Sequence, residues 1–416
     1  MSIVCRGRLY HSVGEDLIML IKASYANLSN VETIKEFEEA FADYNNSKWC
    51  TAFPFARTAL WAIFQSIGLK SGDKVVMPCI TIKGMLDVCA NLELQPVFAD
   101  LDIQNASVDV EKIDSLLKFH KPKALIATYL FGNLPNLPLL AEICRVNDVL
   151  LVEDFSQALN SEFDNTKVGN FGIAGIYSAS ATKTLDLFGG GLAITNNSDI
   201  RDKLRKLQSE LSPPSRLHLI KKSFSSLAKN LATRSLLFPL LFLLILLSNH
   251  RGSDRFTKFV GKRPLQRQVV LPKVWFTSFT SLQAKFGLMK LNHVLETDNN
   301  RIQIAQAYDE GLNKNIQVLR TKKGSRSTRW QYLILVDQPK LVLQALNRVG
   351  VDVATTSLSF LPSLLGFGIQ SKDVEVPTAK YIHEHAVYLP CYPGIELNKQ
   401  KQVINVLNHL CEKKMI

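Results

Sequence analysis

The sequence predicts an α/β protein: a mainly parallel sheet enclosed by helices, followed by a smaller C-terminal α+β unit. Between about residues 56 and 200, short continuous apolar runs alternate with stretches of helical periodicity. Strands that are apolar throughout belong to a sheet covered on both faces, and helices between them are its crossovers. The last hundred residues show a sparser mixture of strand-like and helix-like segments. The chain has 416 residues, 46% of them hydrophobic, which is enough to build two or three cores. A charged fraction of 21% excludes a disordered or collagen-like chain.

Residues 58–69 (TALWAIFQSIGL) repeat their apolar side chains at helical spacing, close at Gly68 and run into the turn Ser71-Gly72-Asp73. Residues 74–77 form a short apolar strand that ends at Pro78. Residues 95–100, 124–130 and 149–154 read as three more, with a helical stretch at 137–146 before the last. Ligands of such sheets sit at the carboxyl ends of strands, so Asp154 and the residues after it carry the most weight. In the C-terminal unit, 330–336 and 386–389 read as strands, and 340–348 and 399–410 as helices.

Seven scattered cysteines include no C-x-x-C pair, and they read as reduced thiols rather than a disulfide frame or a zinc site. The N-terminal stretch MSIVCRGRLYHSVGED lacks an apolar signal core, so secretion is not expected. The net charge of +12 is local: between residues 211 and 268 eleven basic side chains face one acid, Asp254, and hold +10 of the total. That stretch is aliphatic, with few aromatics to stack on bases, so nucleic acid is not an expected partner.

A carboxylate at a strand end often does no more than cap the next helix, and a lone lysine is usually a solvated surface charge. Here Asp154 and Gln157 lie in EDFSQAL. Lys183 follows Asp154 by 29 residues, within SASATK, and Gly189-Gly190-Gly191 come next. Four segments then resemble, in order and spacing, the DegT/DnrJ/EryC1/StrS family of pyridoxal-phosphate-dependent sugar aminotransferases. They are GDKVVMPCITIKGMLDVCANLELQPVFADLD, EDFSQAL, VGNFGIAGIYSASATKTLDLFGGG and LPCYPGI. The similarity covers roughly residues 30–205 and 274–410.

The resemblance implies fold type I aminotransferase architecture with a seven-stranded type of sheet, and pyridoxal 5'-phosphate as cofactor. It implies Lys183 as the lysine that forms an imine with that cofactor and then moves the proton. Asp154 would face the pyridine nitrogen and Gln157 the ring hydroxyl. Ser178, with Arg57 and Thr58, would bind the phosphate, and Ile82 would cover the ring. Each role has its own physics. A carboxylate keeps the pyridine nitrogen protonated, so the ring can accept electrons. A helix that starts near Thr58 offers N–H groups and a positive dipole end to a phosphate. Lysine rather than histidine at 183 speaks against the dehydratase branch. The expected partners are a keto-sugar, an amino-acid amino donor (glutamate or glutamine) and a second copy of the chain. The expected setting is surface polysaccharide or lipopolysaccharide synthesis on a nucleotide-linked sugar. Three positions depart from the family pattern: Ile82 replaces an aromatic, Arg57-Thr58 replaces Gly-Thr, and Phe276 stands where the family has a partner-subunit asparagine.

Residues 206–272 read as an insertion into the large domain, 1–205 and 273–300, ahead of the small domain, 301–416. Leu217, Ile220, Phe224, Leu227 and Leu231 form a helical apolar stripe with Lys221, Lys222 and Lys229 off it. The apolar run at 236–247 reaches only about 18 Å as a helix, short of the ~30 Å hydrocarbon core. A buried helical hairpin at a subunit interface is one reading. The other is monotopic attachment of an otherwise cytoplasmic enzyme to the cytoplasmic face of a membrane, with residues 216–268 against anionic head groups. Attachment would admit a lipid-linked keto-sugar as substrate, and the Phe276 departure would admit a non-catalytic scaffold.

Overall fold

The structure is a computed structural model that describes residues 3–234, 237–250, 270–364 and 375–416. The N-terminal half contains strands β1 (Trp49–Phe53), β2 (Lys74–Pro78), β3 (Ile80–Thr81), β4 (Gln95–Ala99), β5 (Ala124–Thr128) and β6 (Leu150–Asp154). They are followed by β7 (Glu162–Phe163), β8 (Thr166–Lys167), β9 (Ala174–Ser178) and β10 (Gly191–Thr195). The helices through this half and the insertion are α1 (Val13–Tyr25), α2 (Val31–Tyr44), α3 (Ala56–Ser66), α4 (Lys83–Asn91) and α5 (Val110–His120), then α6 (Leu137–Val146), α7 (Ser198–Ser209), α8 (Arg216–Ala232) and α9 (Phe238–His250).

Seven strands form the central sheet in the order β1-β10-β9-β6-β5-β2-β4. β4, β2, β5, β6 and β9 run parallel, and β10 is antiparallel to both its neighbours. Successive side chains enter opposite cores: Leu151 and Tyr177 pack on one face, Val152 and Ile176 on the other. Burial on both faces is why these strands are apolar without alternation. The parallel set also brings the carboxyl ends of β2, β5, β6 and β9 to one edge, where the candidate residues Asp154 and Ser178 stand.

The C-terminal region has a four-stranded antiparallel sheet of β11 (Gln317–Val318), β13 (Tyr332–Leu335), β16 (Ala386–Leu389) and β14 (Ala354–Thr355). Its core includes Tyr308, Val342, Val387 and Leu407. Two short ladders tie it to the rest: β12 (Ser325–Arg326) pairs with β7, and β15 (Ser359–Phe360) pairs with β3. The expected strand at 330–336 is shorter, because Trp330 and Gln331 belong to the segment that crosses the site.

The inserted helix α8 docks by a face that the sequence pattern does not mark. Leu219, Ser223, Ser226 and Asn230 are buried, while Leu217 and Phe224 of the expected apolar stripe are exposed. Polar bonding to α1 decides the orientation. Ser226 Oγ and Asn230 Nδ2 donate to the two oxygens of Asp16, 2.7 Å each, and Arg216 donates to Ala23 O and Ala26 O, 2.8 Å each. In α9, Phe238 and Phe242 pack on Val4, Cys5 and Tyr392. The expected attachment to a membrane is therefore corrected. Among the described residues no helix is long and apolar enough to cross a membrane, and α8 is bonded into the body of the protein. Arg251, Arg255, Lys258, Lys262, Arg263 and Arg267, part of the basic stretch in that expectation, lie outside the described residues.

Candidate active site

β6 ends in two carboxylates that alternate to opposite sides of the sheet. Glu153 is fully buried and accepts N–H bonds from Gly169, Phe171 and Gly172 at 2.6–2.7 Å, and the Tyr129 hydroxyl at 2.7 Å. Burial pushes its carboxyl up, and these donors work against the shift. Its role is to close the β7–β9 connection onto the sheet. Glu153→Leu would strand four donors, so it is expected to lower stability by about 3 kcal/mol or more, read from the urea midpoint.

Asp154 faces the strand-end crevice. Its Oδ1 accepts the Ser156 N–H at 3.1 Å, and the Thr128 hydroxyl at the end of β5 lies 3.5 Å from Oδ2. Burial raises its carboxyl above the usual range, against Ser156, Lys183 and Thr128. A buried carboxylate with few donors favours a cationic partner. Ser156 Oγ accepts the backbone N–H of Ser178, the last residue of β9, at 3.0 Å. Ser178 Oγ lies 2.9 Å from Ser180 Oγ, so one hydroxyl hydrogen of that pair remains for another acceptor.

Lys183 follows in the loop after β9. Thr182 has φ 74°, and the Lys183 N–H bonds to Ser180 O at 3.1 Å. Withdrawal of the amine from water lowers its pKa from 10.5 to about 8, opposed by Asp154 and helped by Arg301. Gln157 uses its Oε1 on the Phe131 N–H at 2.7 Å. Its amide N–H groups have no hydrogen-bond partner among the described residues. Phe131 and Gly132, which it steadies, both sit at positive φ.

The start of α3 closes the crevice. Phe55 caps the helix without a side-chain bond and pairs with Gly190, whose carbonyl accepts the Ala179 N–H at 3.0 Å. The start of α3, Gly190-Gly191 and the Ser178–Ser180 turn therefore meet at one place. Thr58 donates its hydroxyl to Trp275 O at 2.7 Å, and the Arg57 guanidinium lies over Trp275 at 4.0 Å and Phe55 at 4.6 Å. Both side chains are thus held by the segment before the helix Ser281–Leu291. Phe276, from that segment, packs edge-on against Trp61 of its own chain. Ile82 caps α4 and is 40% exposed at the mouth, ahead of the buried Lys83–Asp87 ion pair.

Several contributing residues had not been singled out from the sequence. Thr128 was accessible to the strand-end argument, since β5 reads as a strand. Trp330 was not: its indole N–H donates to Thr182 O across 148 residues of chain. Nor was the buried Arg301, which reaches Asp298, Thr184 and the Tyr10 hydroxyl. Three residues beyond Lys183, Asp186 meets the buried His11, which also lies 3.3 Å from Asp16. Burial opposes charge on His11, but Asp186 and Asp16 outweigh it, so its pKa is raised. A raised folded pKa means that the contribution is complete below pH 6.5 and fades as pH rises through the folded value. The gap in melting temperature between wild type and His11→Gln is therefore expected to narrow above pH 6.5.

The strand order and the crevice at the carboxyl edge define a fold type I aminotransferase architecture. Comparison with known proteins agrees. The DegT/DnrJ/EryC1/StrS aminotransferase family profile matches residues 15–216 and 275–408, and the chain belongs to that family. It is a pyridoxal-phosphate-dependent sugar aminotransferase. The unmatched stretch between the two blocks contains most of the insertion. The GDP-perosamine synthase of Escherichia coli O157:H7 is 21% identical over 379 residues, 91% of this chain and 88% of that one. The Caulobacter vibrioides GDP-perosamine synthase is 28% identical over 183 residues, 44% of this chain and about half, 49%, of that enzyme. Helicobacter pylori PseC, an aminotransferase of pseudoaminic acid biosynthesis, superposes with a TM-score of 0.75 at 18% identity, covering 99% of this chain and all of that one.

Proposed function

We propose that the enzyme transfers an amino group from glutamate or glutamine to a nucleotide-linked keto-sugar for a surface polysaccharide or lipopolysaccharide, working as a homodimer. The observation that carries this is a single crevice holding a lysine amine of lowered basicity, a buried carboxylate and an amide with uncommitted donors. That donor set fits pyridoxal phosphate, which when bound supplies an electron sink. Residues 1–205 and 273–300 would form the unit that holds it, with the smaller unit 301–416 contributing Trp330 beside Lys183.

Lys183 would hold the cofactor through its amine and, when free, would serve as the proton carrier, since an amine lowered to about 8 gives and takes a proton readily at neutral pH. Asp154 would pair with the ring nitrogen, and the free amide N–H groups of Gln157 would serve the ring hydroxyl. Ser178, with its neighbour Ser180, and the start of α3 at Arg57 would receive the phosphate. Thr58 has its hydroxyl hydrogen committed to Trp275, so its contribution is to shape the helix start. Ile82 would cover the ring by dispersion. Nucleotide linkage is supported by the GDP-perosamine synthases and by the solved DesI structure with its TDP-sugar product. Glutamine as donor is supported by the relatives named L-glutamine:2-deoxy-scyllo-inosose aminotransferase.

The test is an absorbance spectrum of the purified enzyme before and after glutamate or glutamine. A visible band that either donor bleaches, followed by amination of a nucleotide keto-sugar, is the expected result. A band that neither donor changes would overturn the donor assignment. No band after addition of pyridoxal phosphate would overturn the roles given to Lys183 and Asp154.

A further inference from the structure

The amine of Lys183 lies 3.9 Å from the centroid of the Trp330 ring, on its face. The indole N–H donates to Thr182 O at 3.0 Å, and Thr182 is the residue whose φ of 74° aims the lysine. One side chain thus holds both the turn that carries Lys183 and the charged end of Lys183 itself. Trp330 is in turn held. A Cβ on Gly132 would lie 2.7 Å from the Trp330 backbone nitrogen, so the two chains touch without room for a side chain between them. The Gln331 N–H bonds to Phe131 O at 3.3 Å, and Ser327 Oγ donates to Gly132 O. The Phe131 N–H bonds to Gln157. The segment Ser327–Trp330 enters the site on its way to the C-terminal sheet, and its indole is a fixed surface rather than a mobile lid.

We propose that Trp330 is the positioning residue for Lys183: its indole face is the resting place of the free lysine amine and keeps it at the crevice whenever it is not bonded to the cofactor. The negative face of an aromatic ring attracts an ammonium and tolerates the neutral amine. A long side chain that would otherwise sample several rotamers is held where it can return to the reacting centre. The catalytic meaning rests on the role of Lys183 in the proposed function; the contact itself can be tested without cofactor.

The experiment is acetic anhydride labelling of Lys183 across pH in cofactor-free protein, read by mass spectrometry, in wild type, Trp330→Leu and Trp330→Phe. Leucine keeps the site apolar but removes the ring face, and the labelling midpoint should fall by roughly half to one and a half pH units. Phenylalanine restores a ring face without the N–H and should recover most of that shift. With bound pyridoxal phosphate, the rate at which donor bleaches the visible band should drop about tenfold in Trp330→Leu and recover in Trp330→Phe. An unchanged midpoint in Trp330→Leu would overturn the proposal. Equal shifts in both variants would overturn it too, since the indole N–H would then be the operative group. A wild type with no visible band sinks the functional reading alone, because the labelling result is independent of it.

Discussion

Lys183→Ala is expected to reduce amino transfer by roughly 10⁴-fold or more and to remove the visible band that donor bleaches. On the proposed roles, two functions would disappear together: the amine that holds the cofactor and the base that moves the proton. The fold should survive. Lys183 is only half-buried, and the loop that carries it is anchored by other residues, through Trp330 to Thr182 O and through Thr184 to Asp298. Its buried neighbour Asp154 loses a favourable charge, which is a modest cost for a carboxyl already shifted upward. The measurement is donor-dependent bleaching followed by stopped-flow absorbance, with circular dichroism as the control for folding. A variant that keeps more than about a hundredth of wild-type turnover would rule out Lys183 as the reacting amine.

Gly191→Ala is expected to destabilise the protein by more than about 4 kcal/mol or to prevent soluble expression. A Cβ at 191 would stand 2.2 Å from Phe55 C and 2.3 Å from Ala56 N and Phe55 O. All three are backbone atoms of a buried crossing, so no rotamer change relieves the overlap. The glycine is required by close approach rather than by a positive φ. Any variant that does fold must displace the start of α3, and its affinity for pyridoxal phosphate should fall with its stability. Gly14→Ala is the control: the nearest atom to its added Cβ is Ser12 Oγ at 3.8 Å, in ordinary contact. Thermal unfolding of the two variants side by side decides the matter, and a Gly191→Ala protein that melts with wild type would contradict the packing described here.

Much of this site was legible because its parts are short-range. Asp154 stands at a strand end that hydrophobic pattern locates to within a residue or two, whereas Ser178, at the end of β9, is marked only by the resemblance of its short motif. The helix at 137–146 and the strand at 386–389 appear at the expected bounds, since their caps and flanking turns are local. α3 starts at Ala56, two residues before the helix expected at 58–69, because Phe55 ends its strand-like approach without a capping side chain that a sequence could display. For α8 the apolar stripe pointed to the wrong face. A stripe reports what a helix could bury against hydrocarbon, whereas Asp16, fixed by Ser226, Asn230 and His11, selected a polar face. The membrane reading of the insertion failed for the same reason.

The sequence by itself determined the layering, the run of parallel strands and the family to which the chain belongs, because those follow from periodicity and from motifs within a few residues of one another. Only the tertiary structure decided that Glu153 braces the sheet while Asp154 faces the crevice, that Thr58 is bonded to Trp275, and that Trp330 rather than a local neighbour meets the amine of Lys183. Each of these is a contact between distant segments, set by the joint packing of several elements, and no one-dimensional spacing encodes it.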